Sequence, residues 1–157
     1  METHVRAPLF DRLVDLDPHT PGEPRPLRTL DRRRLRESVR RELERLLNTR
    51  SSLPVHRLAQ RQDLTVLEYG IPDLSAFSAG SPDDRARVAA VVARAVAAFE
   101  PRLRQVSVAV LELDDHQRSL SLRIDATLVA AEVAEPISFP TLFTLKSGEA
   151  EVLLGGE

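Results

Sequence analysis

Apolar residues recur with a helical period in two stretches of the chain and with period two in its last third. From about Asp31 to Asn48, Leu35, Val39, Leu43, Leu46 and Leu47 fall on one stripe, which predicts an amphipathic helix. A second helix is expected to begin at Ser81, an N-cap candidate. Pro82 follows at the first helical position, and Asp83 and Asp84 suit the helix dipole. Its apolar side is Val88, Val91, Val92, Ala95, Val96 and Phe99. Pro101 ends it, since the residue before a proline is pushed out of the helical region.

Beyond Pro101 the alternation becomes strand-like. Val106, Val108 and Val110 share one parity, whereas Leu111 and Leu113 continue on the other. That switch predicts a bulge or a strand buried on both faces. After the polar turn Asp114-Asp115-His116-Gln117, Leu120, Leu122, Ile124, Ala126 and Leu128 alternate with polar residues. This reads as a hairpin partner with one wet face. A third strand is expected from about Ile137 to Leu145, where Pro140 argues for an edge or a bulge. A turn at Ser147-Gly148 can lead to a short last strand at Val152–Leu154. The predicted class is α+β: two main helices packed on a three- to four-stranded, mainly antiparallel sheet, with an N-terminal extension.

That extension, residues 1–28, precedes a domain spanning 29–157. Prolines 8, 18, 21, 24 and 26 make 17–28 an expected extended linker. Ahead of it, Leu9, Phe10, Leu13, Val14 and Leu16 predict one or two helical turns that dock on the chain's own domain or on a partner. Residues 49–80 carry weak periodicity. Within them, Tyr69-Gly70-Ile71-Pro72-Asp73 reads as a turn, with Gly70 free to take positive φ.

Composition narrows the function. Of 157 residues, 42% are hydrophobic, and 22 Lys+Arg balance 24 Asp+Glu for a net charge of -2. Binding to nucleic acid through bulk charge is therefore not expected. The absence of Cys removes disulfides and thiolate chemistry, and aromatic residues at 4% are few for a stacking groove. No apolar run reaches the ~18 residues of a membrane span, and Met1–Arg6 lacks a signal-peptide pattern. The expectation is a cytoplasmic protein without membrane insertion. The Arg-rich face of the 31–48 helix reads as a salt-bridged solvated surface rather than a phosphate stripe, with Glu37–Arg41 as an i, i+4 pair. Arginines at the helix start oppose its dipole and call for a local acidic partner.

Candidate chemistry is sparse. His4, His19, His56 and His116 have no metal-ligand spacing, and no phosphate-binding glycine loop or nucleophile elbow occurs. No cofactor or metal is expected. Glu100, between Phe99 and the first long strand, is the best candidate for a buried carboxylate. Arg102 two residues on would lower rather than raise its pKa, the wrong direction for a general acid. A Glu100–Arg102 ion pair pinning the helix-to-strand corner is the preferred reading.

Glu100-Pro101-Arg102, set between a helix and a valine-rich strand, resembles the Glu-Pro-Arg motif of the phage gene-25-like baseplate wedge family. This so-called lysozyme-like family includes the TssE branch of type VI secretion systems. Three further pieces agree in order and spacing. Glu37–Leu43 with Leu46-Leu47-Asn48-Thr49-Arg50 is similar to the TssE first helix and its end. Val66–Asp73, with Tyr69, Gly70, Pro72 and Asp73, is similar to the family's turn. Leu9-Phe10-Asp11-Arg12-Leu13 is similar to the N-terminal element of the TssE branch.

The resemblance implies a non-enzymatic baseplate subunit of a contractile-tail-like machine, docked at the cytoplasmic face of the inner membrane. It implies partnership with the TssF and TssG wedge proteins, TssK and the sheath subunits TssB and TssC, and seeding of the sheath through a sheet edge. The late strands 119–130 and 137–145 are the candidates for that edge, the second a poorer template because Pro140 cannot donate a ladder bond. Leu9, Phe10 and Leu13 would contact a wedge partner. Two alternatives are a peptidoglycan hydrolase with Glu100 as acid, and a plain adaptor without sheath contact.

Overall fold

A computed structural model of the chain describes residues 5–13, 19, 29–114, 119–131 and 133–155. Apart from His19, the proline-rich stretch 17–28 lies outside the described residues, as do Asp115-His116-Gln117 of the expected polar turn.

Strand β1 (Val5–Arg6) and helix α1 (Leu9–Leu13) open the described chain, and β1 pairs antiparallel with β2 (Thr29–Leu30). Helix α2 (Arg32–Leu47) starts at Asp31, whose Oδ1 accepts from the Arg34 amide at 2.8 Å. All five leucines and valines of its predicted stripe are buried. Each such side chain contributes about 1.5–3 kcal/mol relative to exposure. Helix α4 (Pro82–Phe99) takes the predicted Ser81 cap and proline start. Between them lie a short helix α3 (Val55–Gln60) and a 3₁₀ turn at Val66–Glu68. Neither shows in the periodicity, because each spans too few residues for an apolar face to repeat.

Four antiparallel strands follow in spatial order β3-β4-β5-β6: β3 (Leu103–Asp114), β4 (Ser119–Ala130), β5 (Val133–Thr144) and β6 (Glu149–Val152). Leu120, Leu122, Ile124 and Leu128 of β4 are fully buried and join the α2 and α4 apolar faces in one core. The register of β3 on β4 shifts between Arg104 and Ser107 and again between Val110 and Glu112. The second shift is the bulge that the change of parity predicts. At the first, Gln105 takes φ 54.

Two expectations are corrected. Neither candidate edge strand lies outermost: residues 119–130 form β4, which pairs with β3 on one side and, residue for residue, with β5 on the other, and 137–145 fall largely in β5, which lies between β4 and β6. Alternation reports which face is wet, not which strand lies outermost. Pro140 marks no bulge, since the β4–β5 register runs unbroken through Arg123↔Pro140. The carbonyls of Ser138 and Pro140 accept from Gly155 and Leu153, on the side away from β4. Alternate residues share a hydrogen-bonding side, so the proline nitrogen faces away from β4 and costs that ladder no bond.

Candidate functional site

The corner between α4 and β3 is built around Glu100. Its amide donates to the Val96 carbonyl at 2.9 Å and closes the helix, while Pro101 prevents continuation. The residue is 4% exposed, and its side chain grips Arg102 in a fork. Nε donates to Oε1 at 2.8 Å and Nη2 to Oε2 at 2.6 Å, and the Arg102 amide adds a contact to Oε1 at 3.2 Å. Bidentate guanidinium–carboxylate pairs of this kind are among the stronger polar contacts in proteins. Burial works against the charge of Arg102. The hydrogen bonds it donates to Glu100 and the carboxylates of Glu100, Glu42 and Asp11 outweigh it and raise its pKa.

The pair extends into a longer chain of contacts. Arg102 Nη1 donates to Ser38 Oγ at 3.0 Å, and Ser38 donates to Asp11 Oδ2 at 2.5 Å. The other Asp11 oxygen accepts from Arg41 at 2.5 Å. Three parts of the chain, α1, α2 and the corner, are thereby linked. Arg41 thus serves Asp11, and Glu37 pairs instead with Arg40 at 2.9 Å, which corrects the expected Glu37–Arg41 pair. The reason is reach: Arg41 meets a buried carboxylate delivered from α1. Elsewhere on the arginine face, Arg40–Glu44, Arg45–Glu42, Arg34–Asp31 and Arg32–Glu135 are salt-bridged as expected.

Beside this network lies an open groove of about 440 Å³, lined by Pro8, Leu9, Phe10, Glu42, Leu46, Tyr69, Phe99 and the Glu100-Pro101-Arg102 corner. Tyr69 meets Phe99 edge-on, with centroids 5.2 Å apart, and Arg45 sits 4.4 Å over the Phe10 ring. Burial and the nearby Glu42 carboxylate push the Tyr69 phenol up. Leu9, Phe10 and Leu13 remain 63%, 57% and 72% exposed. The N-terminal element is therefore held to its own domain by the polar Asp11, with its apolar side chains turned outward. Leu13 is not part of the groove lining.

Gly70, Pro72 and Asp73 belong to a second cluster. Gly70 has φ 111, and a Cβ there would stand 2.3 Å from the Thr49 carbonyl oxygen. That close approach lets the Ile71 amide donate to Thr49 at 2.8 Å and its carbonyl accept from Ser51 at 2.9 Å, a parallel bridge opposite Arg50. Asp73 accepts from the Ser75 amide at 2.9 Å and pairs with Arg50 at 2.9 Å. These bonds, those to Ser75 foremost, lower its carboxyl to about 2. Pro72 lines a small cleft with Asn48, Thr49 and Arg50. The turn motif and the end of α2 are thus one structural unit.

Asp11 and Ser38 have no assigned role in the sequence reading. The available signal is a lone hydroxyl on an apolar stripe, three residues after Leu35, and a lone carboxylate inside an apolar cluster. Among the described residues no group of His, Asp and Glu is placed to hold a metal, and no helix is long and apolar enough to cross a membrane.

Comparison with protein families matches residues 33–133 to the family described as baseplate wedge protein gp25. The chain belongs to the gene-25-like baseplate wedge family. Membership gives it a structural role in a baseplate, carried out by protein–protein assembly. The matched span holds nearly all of α2, the turn unit, the Glu-Pro-Arg corner, β3 and β4, but not Asp11 or the groove residues Pro8, Leu9 and Phe10. No curated protein and no solved structure matches the chain.

Proposed function

We propose that this baseplate protein is a wedge subunit of the TssE type in a type VI secretion system, joining the TssF and TssG wedge proteins, with TssK, to the TssB/TssC sheath and seeding sheath growth. It acts without catalysis, on the cytoplasmic side of the inner membrane. The observation that carries this reading is the Asp11–Ser38–Arg102–Glu100 chain. It ties together the N-terminal element, the first long helix and the Glu-Pro-Arg corner, three of the pieces in which the sequence resembles TssE. Beside it, Leu9 and Phe10 line an apolar groove with Tyr69 and Phe99, a surface suited to a wedge partner.

A structural role for Glu100 is supported by its two oxygens, both engaged by one guanidinium at the corner. Purified protein is expected to leave peptidoglycan intact. Clearing of cell walls that Glu100→Gln abolishes would favour the hydrolase instead. Co-purification with TssF, TssG and the sheath subunits tests the assembly reading. Wedge binding without sheath contact would reduce the protein to an adaptor.

A further inference from the structure

Val66 and Leu67 are the most exposed large apolar residues among the described ones, at 82% and 77%. They are neighbours on the 3₁₀ turn Val66–Glu68 and form a single tip. Apolar side chains scattered singly over a surface are ordinary, whereas a paired tip marks a contact. The backbone beneath it is held firmly. The Thr65 hydroxyl accepts from the Leu67 amide at 3.3 Å. The buried Glu68 carboxylate accepts from the Thr65 amide and hydroxyl, both at 2.7 Å.

Each carbonyl from Thr65 to Glu68 has a partner within the chain. Those of Thr65 and Val66 accept from the amides of Glu68 and Tyr69 at 3.0 and 3.3 Å. Those of Leu67 and Glu68 accept from the Ser52 and Ser51 hydroxyls, each at 3.0 Å. Covering the tip with an apolar surface therefore strands no carbonyl, and a backbone already fixed loses little freedom on binding. The tip also lies close to the groove beside the Glu-Pro-Arg corner. Tyr69, two residues after Leu67, lines that groove with Phe10 and Phe99. Two peptide steps place the Cα atoms of Leu67 and Tyr69 at most about 7.6 Å apart. Two side chains are too few for a separate interface of about 800 Å² per partner, so tip and groove belong to one contact.

We propose that Val66 and Leu67 are a second apolar anchor of the wedge contact, inserted into a dry socket on the TssF–TssG surface that covers the groove. The socket is lined by aliphatic or aromatic side chains and carries no unpaired donor, since the tip keeps its carbonyls for itself. It lies beside the ridge that fills the groove. The identity of the partner rests on the wedge reading proposed above. The anchor itself is assigned from the exposure of the two side chains and the internally bonded turn that presents them.

The test uses the full chain and purified TssF–TssG. Val66→Ser/Leu67→Ser should melt like wild type, because both side chains stand in water. It should bind TssF–TssG about a hundredfold more weakly, about tenfold for each lost side chain. Leu153→Ser, which removes another exposed leucine, should bind like wild type. Hydroxyl-radical footprinting of the wild-type complex should show Val66 and Leu67 protected. If the double variant fails to fold, that footprint decides. Unchanged binding by the folded double variant, an equal loss in Leu153→Ser, or an unprotected tip in the complex would overturn the anchor while leaving the wedge reading standing. Absence of any TssF–TssG binding by the wild type would overturn that reading, and with it the partner named here. Protection of the tip in a dimer of the free chain, or on phosphatidylglycerol vesicles, would assign it to a second copy or to a lipid surface and overturn the wedge socket.

Discussion

Ser38 and Asp11, 27 residues apart in sequence, share a hydrogen bond of 2.5 Å. Ser38 is 1% exposed and Asp11 8%, so the contact is buried. It fixes the N-terminal helix on α2 while the same hydroxyl accepts from Arg102. Ser38→Ala should cost about 1–3 kcal/mol, the penalty for stranding a buried polar partner. Chemical denaturation reads it, and a variant as stable as wild type would show that the contact contributes nothing.

Glu100 and Arg102 should prove interdependent. Arg102→Ala leaves a buried carboxylate without its cation, a change that costs about 3–5 kcal/mol. The double variant Glu100→Ala/Arg102→Ala should lose clearly less than the sum of the single losses, because neither charge is then left alone. Additive losses in a double-mutant cycle would contradict the pairing.

Gly70→Ala should be poorly tolerated. The residue has φ 111, and the new methyl would meet the Thr49 carbonyl. Strain alone costs about 1–3 kcal/mol, before the backbone moves. Gly148 also has positive φ, but its Cβ would meet only the Arg50 guanidinium, 3.3 Å away at the end of a flexible side chain. Gly148→Ala should therefore be milder, and a reversed order in thermal melts would count against the Thr49–Ile71 bridge.

Asp73 predicts an acid-limb effect. Its carboxyl titrates near 2 in the fold, below the ordinary 3.8, so the charged form is favoured by folding. That stabilisation is complete above the ordinary value and is lost as pH falls through about 2. Asp73→Asn should melt below wild type at neutral pH, and the gap should close between about pH 5 and pH 2. A gap independent of pH would rule out the charge as its source.

The α4 helix was legible because Ser81, Pro82 and Pro101 are local signals that act on the backbone directly. The apolar stripes of α2 and β4 were legible because burial imposes their period. Strand order was not. Residues 119–130 alternate cleanly whether they lie at an edge or in the middle, and only pairing to both β3 and β5 decides. The corner ion pair was legible from two residues in sequence. Its extension through Ser38 to Asp11 was not, since it depends on where α1 lands. The Asn48 side chain bonds the carbonyl and amide of Ala150 on β6, 102 positions away, and leaves no local signal.

The most direct measurement is affinity purification of the tagged full chain, co-expressed with TssF, TssG and the sheath subunits. The account predicts a stable wedge complex containing TssF and TssG. Arg102→Ala is expected to weaken the complex, and the wild-type complex to retain sheath subunits. A chain that elutes alone, folded and without either set of partners, would contradict it.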